Sequence, residues 1–183
     1  LFMVAGNIDH ETGTRDVNML SGLRKKMPFT FLAAILAAMS MSGVLPFFGF
    51  IAKEILYEAA IHSRGWSYLT LGAAFFAGAL FAALAIELGY KIFFGPEKEL
   101  SKHPHEAPSG MLIGPIVAAL LGLIGGLFVE QLAKPLLHHT ANVVLSVDSV
   151  LKLTLWHGFT FIFVLSLLTL ASGFVLFKLR QII

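Results

Sequence analysis

A chain of 183 residues with 57% hydrophobic and 13% charged side chains and a mean hydropathy of +0.82 is not a soluble globular domain, because such a domain carries about a quarter charged residues. It reads as an all-α, polytopic transmembrane helix bundle. Without cysteine it has no disulfide, thiolate metal site or Cys nucleophile, and its formal net charge of +2 informs only once mapped onto loops.

The opening run Leu1-Phe2-Met3-Val4-Ala5-Gly6 reads as the tail of an earlier helix, so the sequence is expected to be an excerpt of a larger protein. Residues 1–28 hold that tail and a polar loop. The loop contains Asp9-His10-Glu11-Thr12-Gly13-Thr14-Arg15-Asp16. Histidine titrates near physiological pH, so His10 suits a proton entrance; the ordinary reading is a capped, solvated loop. The basic run Arg24-Lys25-Lys26 lies too far in to belong to a cleavable signal.

Residues 29–61 carry the most informative pattern. As one helix this apolar run would be roughly 50 Å long against a hydrocarbon core of about 30 Å. It is interrupted by Gly43-Val44-Leu45-Pro46-Phe47-Phe48-Gly49. Pro46 removes a helix hydrogen bond, and Gly43 and Gly49 let the backbone turn. A discontinuous (broken) transmembrane helix is therefore expected, of the kind a bilayer tolerates only where it is buried in protein or lines a wet cavity. Lys53 follows Pro46 by about two helical turns. An ammonium group beside such a break can take and release a proton as its surroundings change. The ordinary alternative is a lysine that snorkels to the headgroups, which would require a reach of roughly 12 Å. Glu54 faces about 100° away from Lys53 and is either an ion-path residue or a structural partner. Glu58, one turn on, reads as interfacial.

A second span covers 68–94. Inside it Glu87 and Lys91 stand at i,i+4, the favoured orientation for a helical ion pair. Self-neutralisation near the interface explains them as well as transport does. A polar loop, 95–110, contains His103-Pro104-His105-Glu106, whose spacing is poor for a metal, and none is expected. A third span covers 111–129. Residues 130–152 are interrupted by Lys134, His138, His139, Asp148 and Lys152 and read as a re-entrant or surface-lying outer segment. A last span covers 153–179, with Trp156 marking the interface and His157 offering an interfacial hydrogen bond. Small residues such as Ala33, Ala34, Ala82, Gly122 and Gly126 permit close packing of ordinary bundle helices.

Loop charge sets the orientation. Arg15, Arg24, Lys25, Lys26, Lys91, Lys98, Lys102, Lys178 and Arg180 lie on one side, and Arg64, Lys134 and Lys152 on the other, nine against three. The richer side, with loops 7–28 and 95–110, is expected to be cytoplasmic. No phosphate loop, Ser/His/Asp set or zinc spacing stands out. No cofactor and no nucleic-acid partner is expected.

Two motifs bring in a family. Asp9-His10-Glu11-Thr12-Gly13-Thr14-Arg15-Asp16 with Leu20-Ser21-Gly22-Leu23-Arg24-Lys25-Lys26-Met27-Pro28, and Ser40-Met41-Ser42-Gly43-Val44-Leu45-Pro46-Phe47-Phe48-Gly49-Phe50-Ile51-Ala52-Lys53-Glu54, resemble the large antiporter-like subunits. These are the Mrp-type multisubunit sodium/proton antiporters and the proton-pumping subunits of respiratory complex I. The Gly13-Thr14-Arg15-Asp16 loop and Leu155-Trp156-His157-Gly158 are more similar to the Mrp A subunit. Complex I relatives usually carry Ser-Lys-Asp where this chain has Ala52-Lys53-Glu54.

The resemblance implies secondary antiport of protons against sodium or another monovalent cation, in the plasma membrane, with other antiporter subunits and the lipid bilayer as partners. It places the chain late in the second inverted repeat, with Lys53 last in a line of buried ionisable groups and His10 toward the cytoplasmic end. No role carries over to Glu87. The alternatives are a proton-pumping subunit of an NADH-quinone oxidoreductase and a purely structural membrane scaffold.

Overall fold

The computed structural model describes residues 1–63, 65–100, 102–145, 153–156 and 158–180. The expectations placed on Arg64, Asp148, Lys152, His157 and the His139 side chain lie outside what is described. Every regular element among the described residues is helical.

Helix α1 (Phe2–Thr12) stops at Gly13, whose φ of 71° turns the chain into the left-handed region that glycine adopts without penalty. The following segment runs against residues 92–97. Leu23 and Arg24 amides donate to the Ile92 and Phe93 carbonyls at 3.4 and 3.2 Å, and Lys26 pairs with Glu97 at 2.9 Å. Leu23, Met27, Ala33, Ala34, Ile92 and Phe93 form a buried cluster there with Val4 and Ile8 of α1.

Helix α2 (Pro28–Ser42) begins with proline in its first turn, where a missing N–H costs nothing. It ends at Gly43, and α3 (Phe48–Ile61) starts five residues later. Helix α4 (Ser67–Ile86) returns and widens into a π-helical turn over Glu87–Lys91. Helix α5 (Ser109–Leu127) carries Pro115 inside and leads through a second π-helical turn, Val129–Ala133, into α6 (Lys134–Leu145). Helix α7 (Phe161–Arg180) closes the described chain.

Three helical stretches are each long and apolar enough to cross a bilayer: Ser67–Lys91, Ser109–Leu127 and Phe161–Arg180; α2 is a shorter apolar helix. One expectation needs correction. The last helix begins at Phe161, not near Leu153. Gly158 has φ 82° and the Thr160 hydroxyl accepts the Phe163 amide at 3.1 Å, so an N-cap starts the helix eight residues later. The second span is helical over Ser67–Lys91, with its last turn π-helical.

Close approach follows the small residues. A Cβ on Gly173 of α7 would lie 2.5 Å from the Ala82 Cβ of α4. Tyr57 of α3, fully buried, reaches the Thr169 hydroxyl of α7 at 2.7 Å. The outward surface is apolar, with Phe76, Leu121 and Phe174 each at least half exposed, as expected when the solvent is lipid.

Candidate functional site: the broken helix and Lys53

The site is built on the gap between α2 and α3. Any helix leaves its last four carbonyls without an intrahelical donor. Here the Gly43 and Val44 amides fold back to the Ser40 and Met39 carbonyls at 3.1 and 3.0 Å. Of the rest, the Ser42 carbonyl, together with the Gly43 carbonyl just past the helix end, accepts from the Lys53 Nζ, at 3.2 and 3.0 Å. Lys53 is partly buried. Its ammonium does not snorkel outward; it lies back along α3 on the negative end of the α2 dipole, where a cation is favoured. Gly43 sits at φ 70°, and a Cβ there would come within 2.8 Å of the Lys53 Cε, so this position combines a left-handed turn with contact to the lysine stem.

Pro46 and Gly49 hold the gap shut from two sides. A Cβ on Gly49 would run into the Ser40 carbonyl oxygen, so α3 starts directly against the last turn of α2. A Cβ on Gly126 of α5 would run into the Pro46 carbonyl oxygen and lie 2.6 Å from Phe47 C and Phe48 N. Phe50, Ile51, Val129, Leu153 and Phe163 pack the outer flank.

Glu54 is 8% exposed. It lines a cavity of about 130 Å³ with Ile51, Ile55, Glu58, Leu153 and Thr160, on the flank of α3 that meets the start of α7. Sequence spacing separates it angularly from Lys53, and the structure gives the two side chains different surroundings.

His10 is exposed at the end of α1, its Nδ1 2.8 Å from Glu11 Oε1, beside an open cavity of about 490 Å³ between α1 and α5. Glu11 itself is buried, and His105 Nδ1 lies 3.1 Å from its other oxygen. Glu87 is 3% exposed with Lys91 Nζ at 2.6 Å and Arg180 Nη1 of α7 at 3.5 Å. Sequence reasoning missed Arg180, because the pairing depends on how α7 lies along α4. It also missed Glu106, whose carboxylate accepts the Phe29 amide at 2.6 Å, the Thr30 amide at 3.3 Å and the Thr30 hydroxyl at 2.6 Å. One signal existed: Met27 at the N-cap has no side-chain acceptor, so the first amides of α2 had to find one elsewhere.

A family profile described as NADH:quinone oxidoreductase/Mrp antiporter, TM matches residues 1–82. The A1 component of the Na(+)/H(+) antiporter of Staphylococcus haemolyticus (strain JCSC1435) is 36% identical over 96% of this chain and 23% of its own length. The corresponding A component from Alkalihalophilus pseudofirmus is 33% identical over 99% of this chain and 24% of its own. A chain in the structure of the Mrp complex from Dietzia sp. DQ12-45-1b superposes with a TM-score of 0.77 at 29% identity, over 98% of this chain and 19% of that one. Along nearly its whole length the chain is similar to A subunits of Na(+)/H(+) antiporters. It spans about a quarter of the length of these relatives. The similarity agrees with a multi-pass membrane protein, as do the three helical stretches long and apolar enough to cross a bilayer.

Proposed function

We propose that this chain supplies part of the proton path of a multisubunit sodium/proton antiporter in the plasma membrane, with Lys53 as its proton-exchanging group. The observation that carries the reading is the Lys53 ammonium on the Ser42 and Gly43 carbonyls at a broken helix. Half-helix ends inside a membrane are where transporters hold cations and protons. A protonated lysine is held there; a neutral one loses the attraction and is free to turn toward a different acceptor. His10 stands near the cytoplasmic end of the same path, beside an open cavity, with loops 7–28 and 95–110 on the cytoplasmic side. Glu54, one position beyond the lysine, is an ion-path carboxylate facing α7. The partners are the remaining antiporter subunits, the lipid bilayer, and sodium or another monovalent cation.

A second reading, a proton-pumping subunit driven by electron transfer to quinone, is favoured only by the family profile, whose description spans both groups. The test is proton movement in vesicles holding the assembled complex, with an imposed sodium gradient and no electron donor. The antiporter reading expects sodium-dependent proton movement. Movement that occurs only on adding NADH would replace it with the second reading.

A further inference from the structure

Glu87 is buried in the π-helical turn at the end of α4, and the proton path proposed above does not use it. Its two oxygens are held differently. Oε1 lies 2.6 Å from the Lys91 Nζ, across the turn. Oε2 is buried and accepts no hydrogen bond among the described residues; the cation facing it is Arg180 of α7, with Nη1 at 3.5 Å. A buried carboxylate is costly unless opposite charge stands close by. Glu87 therefore keeps Lys91 and Arg180 drawn in, and with them the geometry of the turn against α7. Single π-helical turns of this kind are frequent at functional positions.

Gly89 lies in the middle of that turn and is buried. A Cβ on it would come 2.5 Å from the Ala38 Cβ of α2 and 3.6 Å from the Ala34 carbonyl oxygen. The backbone of the turn thus rests directly on α2, one helical turn before the break. There the Ala38 carbonyl accepts the Ser42 hydroxyl at 2.9 Å, and the Ser42 carbonyl is one of the two that take the Lys53 ammonium. A continuous line of contact runs from Arg180 through Glu87, Gly89, Ala38 and Ser42 to Lys53. A π-helical turn holds more residues than an α-helical one, so its loss would rotate Gly89 off this line and bring a neighbouring side chain, Leu88 or Tyr90, toward α2.

We infer that Glu87 is a positioning residue for Lys53: paired with Lys91 and Arg180, it holds the turn that seats Gly89 on Ala38, and so fixes the last turn of α2 whose end receives the lysine. This rests on the proposed role of Lys53. It needs no change of charge at Glu87.

The experiment takes two readouts on the assembled complex. The first is hydrogen exchange on the peptide containing Gly43 and Val44, whose amides bond to the Ser40 and Met39 carbonyls. The second is sodium-driven proton flux in vesicles, separated into maximal rate and KM for sodium. Glu87→Gln should raise exchange at the break by about tenfold and lower maximal flux by about tenfold, with KM within about twofold of wild type. Arg180→Gln should act in the same direction but less, because Arg180 is exposed. Gly89→Ala should resemble Glu87→Gln, and adding Ala38→Gly should restore both readouts, a rescue that general destabilisation would not show. If Gly89→Ala alone does not assemble, assembly regained in the pair supports the same contact. Gly72→Ala, on the same helix with open space around it, should leave both readouts at wild type. Wild-type exchange at the break in Glu87→Gln, or failure of Ala38→Gly to rescue Gly89→Ala, overturns the inference. Lys53→Ala separates it from the proton-path reading. Flux retained there would end that reading, while raised exchange in Glu87→Gln would still stand. Flux lost there, with unaltered exchange in Glu87→Gln, would end the positioning role alone.

Discussion

Replacing Lys53 by alanine is expected to lower sodium-driven proton flux by one to two orders of magnitude while the complex still assembles. The ammonium makes two hydrogen bonds to backbone carbonyls at the end of α2. Hydrogen bonds to a charged group are worth about 1.5–3 kcal/mol, which corresponds to roughly ten- to a hundredfold in a rate or an equilibrium. Alanine removes the group that binds the proton as well as these bonds. Assembly should survive, because α2 and α3 are also held by packing at Gly49 and by α5. Flux and assembly are measured together, in vesicles and by size-exclusion of the purified complex. Unchanged exchange with normal assembly would make this region a scaffold.

The second large effect is on stability. Gly49→Ala and Gly126→Ala should each destabilise the complex by about 3 kcal/mol, the upper part of the usual range for overpacking. In both cases the added methyl meets backbone: the Ser40 carbonyl for Gly49, and the Pro46 to Phe48 peptide groups for Gly126. Backbone on a short, tethered turn cannot rotate away as a side chain does. Gly72→Ala is the control, since nothing lies within 4 Å of the added methyl. It should change stability by less than about 0.5 kcal/mol, or raise it slightly through helix propensity. Thermal unfolding of the detergent-purified complex measures all three. Equal stability of the Gly126 and Gly72 variants would show that α5 does not press on the break.

The break itself is legible in the chain because its causes are local. A proline between two glycines in an apolar run too long for the bilayer has few other outcomes. Lys53 stands out for the same reason, as a charge deep in that run. The partners supplied by distant segments cannot be read in this way. Glu106 lies 76 residues from Thr30, and only the lack of an acceptor at Met27 hints at it. His105 suggests at most a weak metal ligand in the sequence, whereas in the fold it faces Glu11. Glu87 and Lys91 are legible as an i,i+4 pair, but the π-helical turn and Arg180 depend on the packing of α7 and on Gly89 against Ala38 of α2. The start of α7 is misplaced by hydropathy because the apolar run continues on both sides of Gly158 and Thr160, and hydropathy does not register an N-cap.

The most direct measurement compares Lys53→Arg with wild type in sodium-driven proton flux and in thermal stability. Arginine keeps a charge and can donate to the Ser42 and Gly43 carbonyls, but it does not give up its proton in proteins. If Lys53 exchanges protons, the arginine protein keeps near-wild-type stability while its flux falls to the level of Lys53→Ala. Flux equal to wild type in the arginine protein would contradict this, because the group at position 53 would then act only as a fixed charge.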